Sequence, residues 1–381
     1  MNKVRYGIVG VGKQGAVYAH KFDANKDKNA VLTAVCDTDP ARRAWCKQSL
    51  RGTKVFDNHA EMFSSGLIDA ALIVTPHYGH VPIAVDAFKA GLHVLVDKPA
   101  SVEAAEAERL NAVAAQFPNQ KFGIMYNQRT DKLYRTAKRL IDAGELGQLK
   151  RIVWIITDWY RPQAYYDQGG WRGTWGGEGG GVLINQCPHQ LDLFTWFAGL
   201  PKKVRASAKT VGRSIAVEND VTAECEFENG ATGVFITSTH DAPGSNRLEI
   251  TGTRGKITVE NRRLTFVQTD TPEPEFSNTN KGFMSAPKTR VITIKKRFCS
   301  LIKEHVNPGQ HFLLMRNFSR VVLGIEDKLI APGTEGVIGL TFSNAVHLSA
   351  WTGKEITLPF GSNEFKAELD AKIKQECQNA C

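Results

Sequence analysis

The chain has 381 residues, 42% of them hydrophobic and 23% charged, which is typical of a globular protein large enough for two domains. Lys and Arg (48) outnumber Asp and Glu (39), but the most basic stretch, residues 288–303, alternates like a half-exposed strand, so we expect no nucleic-acid partner. The seven cysteines include no C-x-x-C pair, no apolar run could span a bilayer and no leader opens the chain; we therefore expect no metal, no membrane partner and a cytoplasmic location.

The chain opens with the strand–turn–helix pattern of a dinucleotide-binding site. An apolar run predicts a short buried strand, which leads directly into Gly10, Gly12 and Gly15 in G-x-G-x-x-G spacing before a predicted helix. The first glycine permits a tight turn, the second lets backbone approach a pyrophosphate, and the third lets the helix pack closely. The helix N-terminus adds free N–H groups. We predict a dinucleotide diphosphate here, with Lys13 and Gln14 in the same turn.

The second predicted strand ends at Asp37, which indicates the type of nucleotide. A carboxylate at this position can accept hydrogen bonds from both hydroxyls of the adenosine ribose, and it would repel the 2′-phosphate of NADP. NAD is therefore the predicted cofactor, although Arg42 and Arg43 could soften that repulsion. The alternative is that Asp37 only ends a strand or caps the helix that starts at Asp39 and Pro40.

Strands and helices alternate through the first third of the chain, which predicts a parallel, doubly wound sheet. Strands are predicted near residues 70–74, 91–96 and 121–126, with a helix over 81–90. Ligands bind at the carboxyl ends of such strands. The residues that follow the strands are therefore predicted to line the site: Thr75, Pro76, His80, Asp97, Lys98, Asn127 and Arg129.

Beyond residue 127 the predicted strands follow one another without intervening helices, which predicts a mainly antiparallel sheet. The predicted fold is α/β, with a Rossmann domain over residues 1–126 and an α+β domain over residues 127–381. The C-terminal helices of the second domain could pack back on the first. The strands are predicted over 150–159, 204–210, 221–227, 232–239, 247–252, 255–260 and 290–296, the helices over 130–143, 188–198, 335–351 and 363–378, and a surface loop over 270–287.

Several motifs together resemble the Gfo/Idh/MocA oxidoreductases, named for glucose–fructose oxidoreductase and inositol dehydrogenase. The resemblance extends over essentially the whole chain. It implies a Rossmann domain, then a domain whose open antiparallel sheet often makes oligomer contacts, here in a dimer or tetramer. It also implies reversible hydride transfer between a nicotinamide cofactor and a hydroxyl of a sugar or polyol. The motifs are GIVGVGKQG, TPHYGH, VDKP, GGGVLINQCPHQLD and APGTEG with SNAVHLSAWTGKEITLP.

The resemblance implies that Lys98 and His189 are catalytic, and their chemistry suits the oxidation of an alcohol. Imidazole can accept the hydroxyl proton near neutral pH, and a cationic lysine favours the developing alkoxide. Asp192 follows His189 by one helical turn and can orient the ring. Asn185 stands where the family commonly has Asp, and Asp97 replaces the Glu of the family's Glu-Lys-Pro motif. Each of these residues also has a purely structural alternative: Lys98 could be a surface lysine, His189 a histidine packed in the core, and Asp192 an ordinary acid in the first turn of a helix.

An aromatic segment with two arginines predicts a sugar-binding wall, because sugar C–H faces stack on aromatic rings while hydroxyls seek polar groups. The alternative roles of this aromatic segment are a packed loop or an oligomer contact. Arg129, which lies outside the segment, could contact a cofactor phosphate or form an ion pair instead of contacting substrate. The predicted substrate-binding residues are Asn185, Arg129, Tyr160, Arg161, Trp171, Arg172 and His311.

The leading functional hypothesis is an NAD-dependent dehydrogenase that oxidises a secondary ring hydroxyl of a sugar or glycoside, with C3 as the candidate position. The alternatives are an inositol or polyol dehydrogenase, a glycosidase that uses NAD in a closed redox cycle, and a cofactor-sensing regulatory protein.

Overall fold

The computed structural model describes residues 3–25, 27–295 and 309–379. The chain divides into two compact units, one comprising Met1–Thr130 and Lys303–Leu340, the other Asp131–Ile302 and Thr341–Cys381. The predicted domain boundary after residue 126 lies close to Thr130, whereas the described residues 309–340 cluster with the first unit. None of the helices described is both long and apolar enough to cross a bilayer.

The first unit contains a six-stranded parallel sheet in the order β3-β2-β1-β4-β5-β6. Strand order reverses between β1 and β4, and ligands bind in the crevice at such a point. The buried side chains on both faces of the sheet are those expected when helices cover a parallel sheet on each side. The strands are β1 (Val4–Val9), β2 (Ala30–Cys36), β3 (Lys54–Phe56), β4 (Ala70–Ile73), β5 (His93–Val96) and β6 (Phe122–Ile124).

A helix from far along the chain completes the first unit. Helix Gly309–Val322 packs against the sheet, where the hydroxyls of Tyr6 and Ser319 share a buried hydrogen bond of 2.8 Å. A Cβ on Gly123 would lie 2.8 Å from the Phe318 ring, so β6 needs glycine at this close approach. The other helices of this unit are Lys13–Asn25, Pro40–Ser49, His59–Ser64, His80–Lys89 and Ala104–Ala114, and helix Gly336–Thr352 begins here and ends in the second unit.

The second unit contains a nine-stranded sheet in the order β14-β13-β12-β11-β7-β10-β9-β8-β15. All neighbouring strands are antiparallel except β7 and β10, which are parallel. The strands are β7 (Leu149–Ile156), β8 (Lys203–Lys209), β9 (Asp220–Glu226), β10 (Thr232–Ser238), β11 (Asn246–Gly252), β12 (Gly255–Glu260), β13 (Arg263–Thr269), β14 (Thr289–Lys295) and β15 (Ile356–Thr357).

Helices cover one face of this sheet and bury a largely aromatic core. The Phe194 ring lies 5.6 Å from Phe235 of β10 and 5.3 Å from Phe342, and Tyr134 lies 5.7 Å from Trp154 of β7. The opposite face carries half-buried side chains. The helices of this unit are Lys132–Asp142, Gln163–Tyr166, Trp175–Glu178, Pro188–Ala198, Glu273–Thr279 and Ser362–Asn379.

The predicted fold class is confirmed, with differences in single elements. Sequence analysis did not predict β3 or β13, and the predicted loop 270–287 contains helix Glu273–Thr279. The predicted strand 290–296 is β14, which the structure describes to Lys295. The remainder of the basic stretch, residues 296–303, lies outside the described residues, as do Cys299 and Cys381.

Candidate active site

The glycine turn after β1 has room for a ligand on one side only. Gly10 has a φ of +89°, and a Cβ there would lie 2.7 Å from the Val74 carbonyl oxygen, so only glycine fits. A Cβ on Gly15 would lie 2.0 Å from the Gly10 carbonyl oxygen, because helix Lys13–Asn25 packs directly onto the turn. A Cβ on Gly12 would meet no described heavy atom within 4 Å. This open side, with the helix N-terminus beside it, fits the diphosphate of a dinucleotide.

Asp37 is fastened to the glycine turn. Its Oδ2 accepts a hydrogen bond of 2.7 Å from the Val11 N–H, and its Oδ1 accepts one of 2.9 Å from the Asp39 N–H. The helix is capped by Asp39, whose side chain accepts from the Ala41 N–H at 2.8 Å, so Asp37 is not the cap. Arg43 donates to the Asp37 carbonyl oxygen at 3.0 Å. Each carboxylate oxygen of Asp37 keeps a second acceptor position, as ribose hydroxyls require.

His80 ties together the ends of β4 and β5. Its Nδ1 lies 2.7 Å from the Pro99 carbonyl oxygen and its Nε2 lies 2.8 Å from the Thr75 carbonyl oxygen. Burial lowers the pKa of His80. Pro76 leads into the short turn His77–Gly79 that precedes this helix. His80 therefore braces the two strand ends from the protein interior.

The segment after β5, which contains Asp97 and Lys98, is hydrogen-bonded to helix Lys13–Asn25 through the buried Tyr18. The Tyr18 hydroxyl donates to Asp97 Oδ1 at 2.9 Å, and Gln14 also hydrogen-bonds Tyr18. The His311 ring lies 5.5 Å from the Tyr18 ring. Burial lowers the pKa of His311, while the Asp97 charge raises it and the Lys98 charge lowers it. Lys98 itself is half-buried. The structure thus places Asp97, Lys98 and His311 in one neighbourhood of the first unit.

Asn127 and Arg129 lie in the turn that follows β6. Asn127 Nδ2 donates to Gln310 Oε1 at 3.1 Å. Arg129 is 3% exposed, pairs with Glu335 and lies 5.6 Å from the centre of the Tyr126 ring. The structure therefore provides the ion pair that was one of the alternatives for Arg129.

In the second unit, one π-helical turn, Val182–Gln186, leads into helix Pro188–Ala198. Such turns are rare and occur frequently at functional sites. Asn185 lies in the turn and is half-buried. His189, near the start of the helix, is also half-buried, and Asp192 follows it at 2% exposure. The turn thus carries Asn185 and ends three residues before His189.

A buried carboxylate from elsewhere in the unit fixes this turn. Glu218 accepts hydrogen bonds from the Gly181 N–H at 2.9 and 3.0 Å and from the Leu183 N–H at 3.1 Å. Its Oε2 lies 3.2 Å from His347 Nε2. A Cβ on Gly181 would lie 1.8 Å from the Glu218 carbonyl oxygen, so no side chain fits there.

A second buried carboxylate, Glu178, contacts Asn185 directly. Glu178 is 1% exposed and accepts a hydrogen bond of 2.8 Å from the Gly173 N–H. Asn185 Nδ2 donates to its Oε1, and Arg172 Nη1 lies 3.5 Å from the same oxygen. Burial raises the pKa of Glu178 to about 7, against the effects of these partners.

The Tyr165 hydroxyl connects the aromatic segment to Asn185. It accepts hydrogen bonds from Arg172 Nη1 at 2.8 Å, from Asn185 Nδ2 at 3.3 Å and from Gln186 Nε2 at 3.3 Å. The Arg172 guanidinium lies 4.9 Å from the centre of the Tyr165 ring and 4.5 Å from that of Trp171. Asn185, Arg172 and Trp171, all predicted substrate residues, therefore belong to one cluster.

The rest of the predicted wall adjoins this cluster. Arg161 lies 5.1 Å from the centre of the Tyr165 ring. Tyr160 is 48% exposed, and Arg213 lies 5.4 Å from the centre of its ring. Arg213 also donates to the Arg161 carbonyl oxygen at 2.8 Å. The wall thus presents aromatic faces interleaved with guanidinium groups.

Sequence reasoning did not assign Glu178, Glu218 or the π turn. One signal for Glu178 was available, because it is the only acidic residue between Asp167 and Asp192 and it stands within a run of glycines. Glu218 carried no comparable signal.

Two family models match the chain. Residues 4–122 match the oxidoreductase family with an NAD-binding Rossmann fold, and residues 134–258 match the GFO/IDH/MocA C-terminal domain. Together these segments include well over half of the sequence.

Individual relatives are distant. An inositol 2-dehydrogenase of Corynebacterium glutamicum is 25% identical over 196 residues, which are 51% of this chain and 54% of that protein, so the match spans about half of each. A myo-inositol 2-dehydrogenase of Thermotoga maritima is 24% identical over 80% of this chain and 90% of its own length. The WlbA dehydrogenase from Bordetella pertussis, solved with NADH and UDP-GlcNAcA, shares the fold, with a TM-score of 0.77 and 24% identity over 94% of this chain and 100% of that one.

Proposed function

Because the chain belongs to the GFO/IDH/MocA oxidoreductase family, we propose that it is an NAD-dependent dehydrogenase that oxidises a secondary ring hydroxyl of a sugar or glycoside, with C3 as the candidate position. The NAD-binding Rossmann domain over residues 4–122 confirms the cofactor prediction. The observation that carries the proposal is the position of Lys98, which follows β5 in the unit that holds the open glycine turn.

When bound, NAD supplies a nicotinamide ring that accepts a hydride from the alcohol carbon. The turn from Gly10 to Gly15 would hold its diphosphate, and Asp37 would accept hydrogen bonds from the adenosine ribose. The carboxylate of Asp37 disfavours a 2′-phosphate, which supports NAD over NADP. Thr75, Pro76, Asp97 and Asn127 lie in the strand-end segments of this unit and would complete the cofactor site, which His80 braces.

The hydroxyl proton is assigned to Lys98 and His189. A sugar hydroxyl is too weak an acid to ionise unaided at neutral pH, so hydride loss needs a base and a stabiliser of negative charge on oxygen. His189 would act as the base, and the Lys98 ammonium would hydrogen-bond the same oxygen. Asp192, which is buried one turn after His189, would favour the protonated ring.

Ring polyols would be recognised by the cluster in the second unit. Trp171 and Tyr160 would stack on C–H faces, while Asn185, Arg161 and Arg172 would contact hydroxyls. His311 is proposed as a further substrate contact. An inositol is the second candidate substrate, because relatives from C. glutamicum and T. maritima are named inositol dehydrogenases.

The proposed enzyme is a homo-oligomer. The uncovered face of the second unit's sheet carries half-buried aliphatic side chains that a second copy would cover.

The decisive experiment is a screen of hexoses, glycosides and inositols for NADH absorbance, followed by mass analysis of the product. Lys98→Ala and His189→Ala should each lower kcat by about 100-fold or more while NAD still quenches tryptophan fluorescence. The exposed Lys89→Ala and His20→Ala variants are the matched controls and should retain activity.

Near-normal rates in both Lys98→Ala and His189→Ala would reject the proposed proton handling. Glycoside cleavage without accumulation of NADH would favour the redox-cycling glycosidase. NAD binding with no turnover of any polyol would favour the cofactor-sensing protein.

A further inference from the structure

We propose that Glu178 is a positioning residue that supplies, from a neighbouring turn, the carboxylate missing at position 185. This inference rests on the proposed function, because it concerns how Asn185 is presented to the substrate. The family commonly has Asp four residues before the catalytic His, and this chain has Asn185 there. The chain nevertheless keeps a buried carboxylate in contact with that position, because Asn185 Nδ2 donates to Glu178 Oε1.

The contact determines which way the Asn185 amide faces. An ionised carboxylate only accepts hydrogen bonds, so the amide must turn its nitrogen toward Glu178. The same nitrogen lies 3.3 Å from the Tyr165 hydroxyl oxygen. The amide oxygen, Oδ1, is therefore directed away from Glu178. In this orientation Asn185 offers an acceptor, as the Asp of the family would.

Glu178 also holds Arg172, one of the two arginines of the aromatic wall, in position. Arg172 Nη1 lies 3.5 Å from Glu178 Oε1 and donates to the Tyr165 hydroxyl at 2.8 Å. The Arg172 guanidinium lies 4.5 Å from the centre of the Trp171 ring. Glu178 thus restrains two residues that are proposed to contact substrate hydroxyls: Asn185 through its amide group and Arg172 through its guanidinium group.

The backbone holds Glu178 in place independently of these two contacts. Glu178 ends the short helix Trp175–Glu178, and Gly179 follows in a left-handed conformation with φ +81°. Glu376 from helix Ser362–Asn379 accepts hydrogen bonds from the Trp175 N–H at 3.2 Å and from the Gly176 N–H at 3.0 Å. Because burying a carboxylate is costly, the hydrogen bond of 2.8 Å that Glu178 accepts from the Gly173 N–H also helps to hold it.

Protonation of Glu178 would weaken the arrangement, because one of its two oxygens becomes an O–H donor, whereas in the ionised form one accepts from the Gly173 N–H and the other from the Asn185 NH₂ group. The charged and titratable groups that face Glu178 come from several elements. Arg172 favours the ionised form, whereas Glu218 favours the protonated form. Tyr165 and Tyr166 also lie close by, as do His347 beside Glu218 and Glu376 of helix Ser362–Asn379. Burial places this ionisation in the neutral range, with a pKa of about 7.

The test moves the carboxylate back to the family's position. Glu178→Gln should lower kcat by about 10- to 100-fold, since small displacements of positioning groups have effects of this size. Its pH profile should also lack the ionisation near 7. The single variant Asn185→Asp brings two carboxylates together and should also have a lower kcat than wild type. The double variant Glu178→Gln with Asn185→Asp restores one carboxylate facing one amide, and should recover at least tenfold over either single variant.

Glu376→Gln is the matched control, because Glu376 lies on helix Ser362–Asn379 and contacts the same short helix through the Trp175 and Gly176 N–H groups. It should keep the wild-type pH profile. A double variant no better than the single variants, or an unchanged pH profile in Glu178→Gln, would overturn the proposal. Infrared pH-difference spectra of wild type and Glu178→Gln provide a readout that needs no substrate: a carboxyl band titrating in the neutral range and absent from the variant is expected. If the wild-type protein lacks this carboxyl band, the proposal for Glu178 is contradicted. If the wild-type protein shows the band but has no dehydrogenase activity, the result counts against the proposed function instead.

Discussion

At the residue scale, Glu178 gives the protein a pH-dependent stability. Burial raises its pKa from 4.5 to about 7 in the folded protein, so the folded state binds this proton more tightly than the unfolded chain does. The resulting stabilisation is complete below the unfolded pKa and is lost as pH rises through the folded pKa. Between pH 5 and 8, the free energy of unfolding should therefore decrease by about 2.5 kcal/mol through this group alone.

Urea unfolding of wild type and Glu178→Gln at several pH values in this range would measure that contribution. The difference in the free energy of unfolding between the two proteins should shift steadily in favour of the variant as pH rises. A difference that stays constant with pH would show that Glu178 titrates at the same pKa in both states.

Individual residues differ in how well the sequence predicts their environment. Asp37 was expected at the end of the second strand, and it lies there because a strand end is a local property of the chain. The ion pair of Arg129 with Glu335 joins segments about 200 residues apart, so sequence reasoning could only leave it as one of the alternatives. The polar partners of His80 are backbone carbonyl groups, which carry no sequence signal at all.

At the element scale, two glycines of the turn after β1 are needed for different reasons: Gly12 for NAD binding, and Gly15 for folding as well. A Cβ on Gly12 meets open space, so Gly12→Ala should fold with wild-type stability but lose at least tenfold in NAD affinity, because the methyl group occupies space needed by the diphosphate. A Cβ on Gly15 would lie 2.0 Å from a backbone oxygen, so Gly15→Ala should lose both NAD affinity and stability, the latter by about 1–3 kcal/mol.

Fluorescence titration with NAD and thermal unfolding of both variants would distinguish the two glycines. If Gly12→Ala binds NAD as tightly as wild type, the diphosphate does not lie against this turn.

The elements that sequence reasoning predicted well are those with a strong local pattern. Helix Pro188–Ala198 was predicted with its observed bounds, because Pro188 opens it and Gly199 ends it. The π turn before it depends on Glu218, which holds Gly181 and Leu183 from a distant part of the chain. The packing of helix Gly309–Val322 against β1 and β6 was not predicted, because it is a tertiary contact with strands far away in the sequence. Elements defined by long-range contacts are thus the ones that local patterns cannot predict.

At the scale of the whole molecule, the second unit has a sheet face that none of the helices described in that unit covers. Val153 and Ile155 of β7 lie beside Val234 and Ile236 of the parallel strand β10, and all four side chains are half-buried. On β11, the neighbouring Arg247 lies opposite Ile155. A central aliphatic stripe with charges beside it is the composition expected of an interface between subunits.

If this face is covered by a second copy, the wild-type protein should be a dimer or tetramer, since a stable interface needs roughly 800 Å² from each partner and a broad sheet face can supply it. Ile236→Glu places a charge in the middle of the stripe and should release monomers, because burying an unpaired carboxylate costs more than the interface can offset. Light scattering after size exclusion at micromolar concentration measures the masses directly. Leu200→Glu adds the same charge at an exposed loop position, 40% accessible, and should keep the wild-type mass. A monomeric wild type, or an Ile236→Glu variant of unchanged mass, would place any assembly on a different surface.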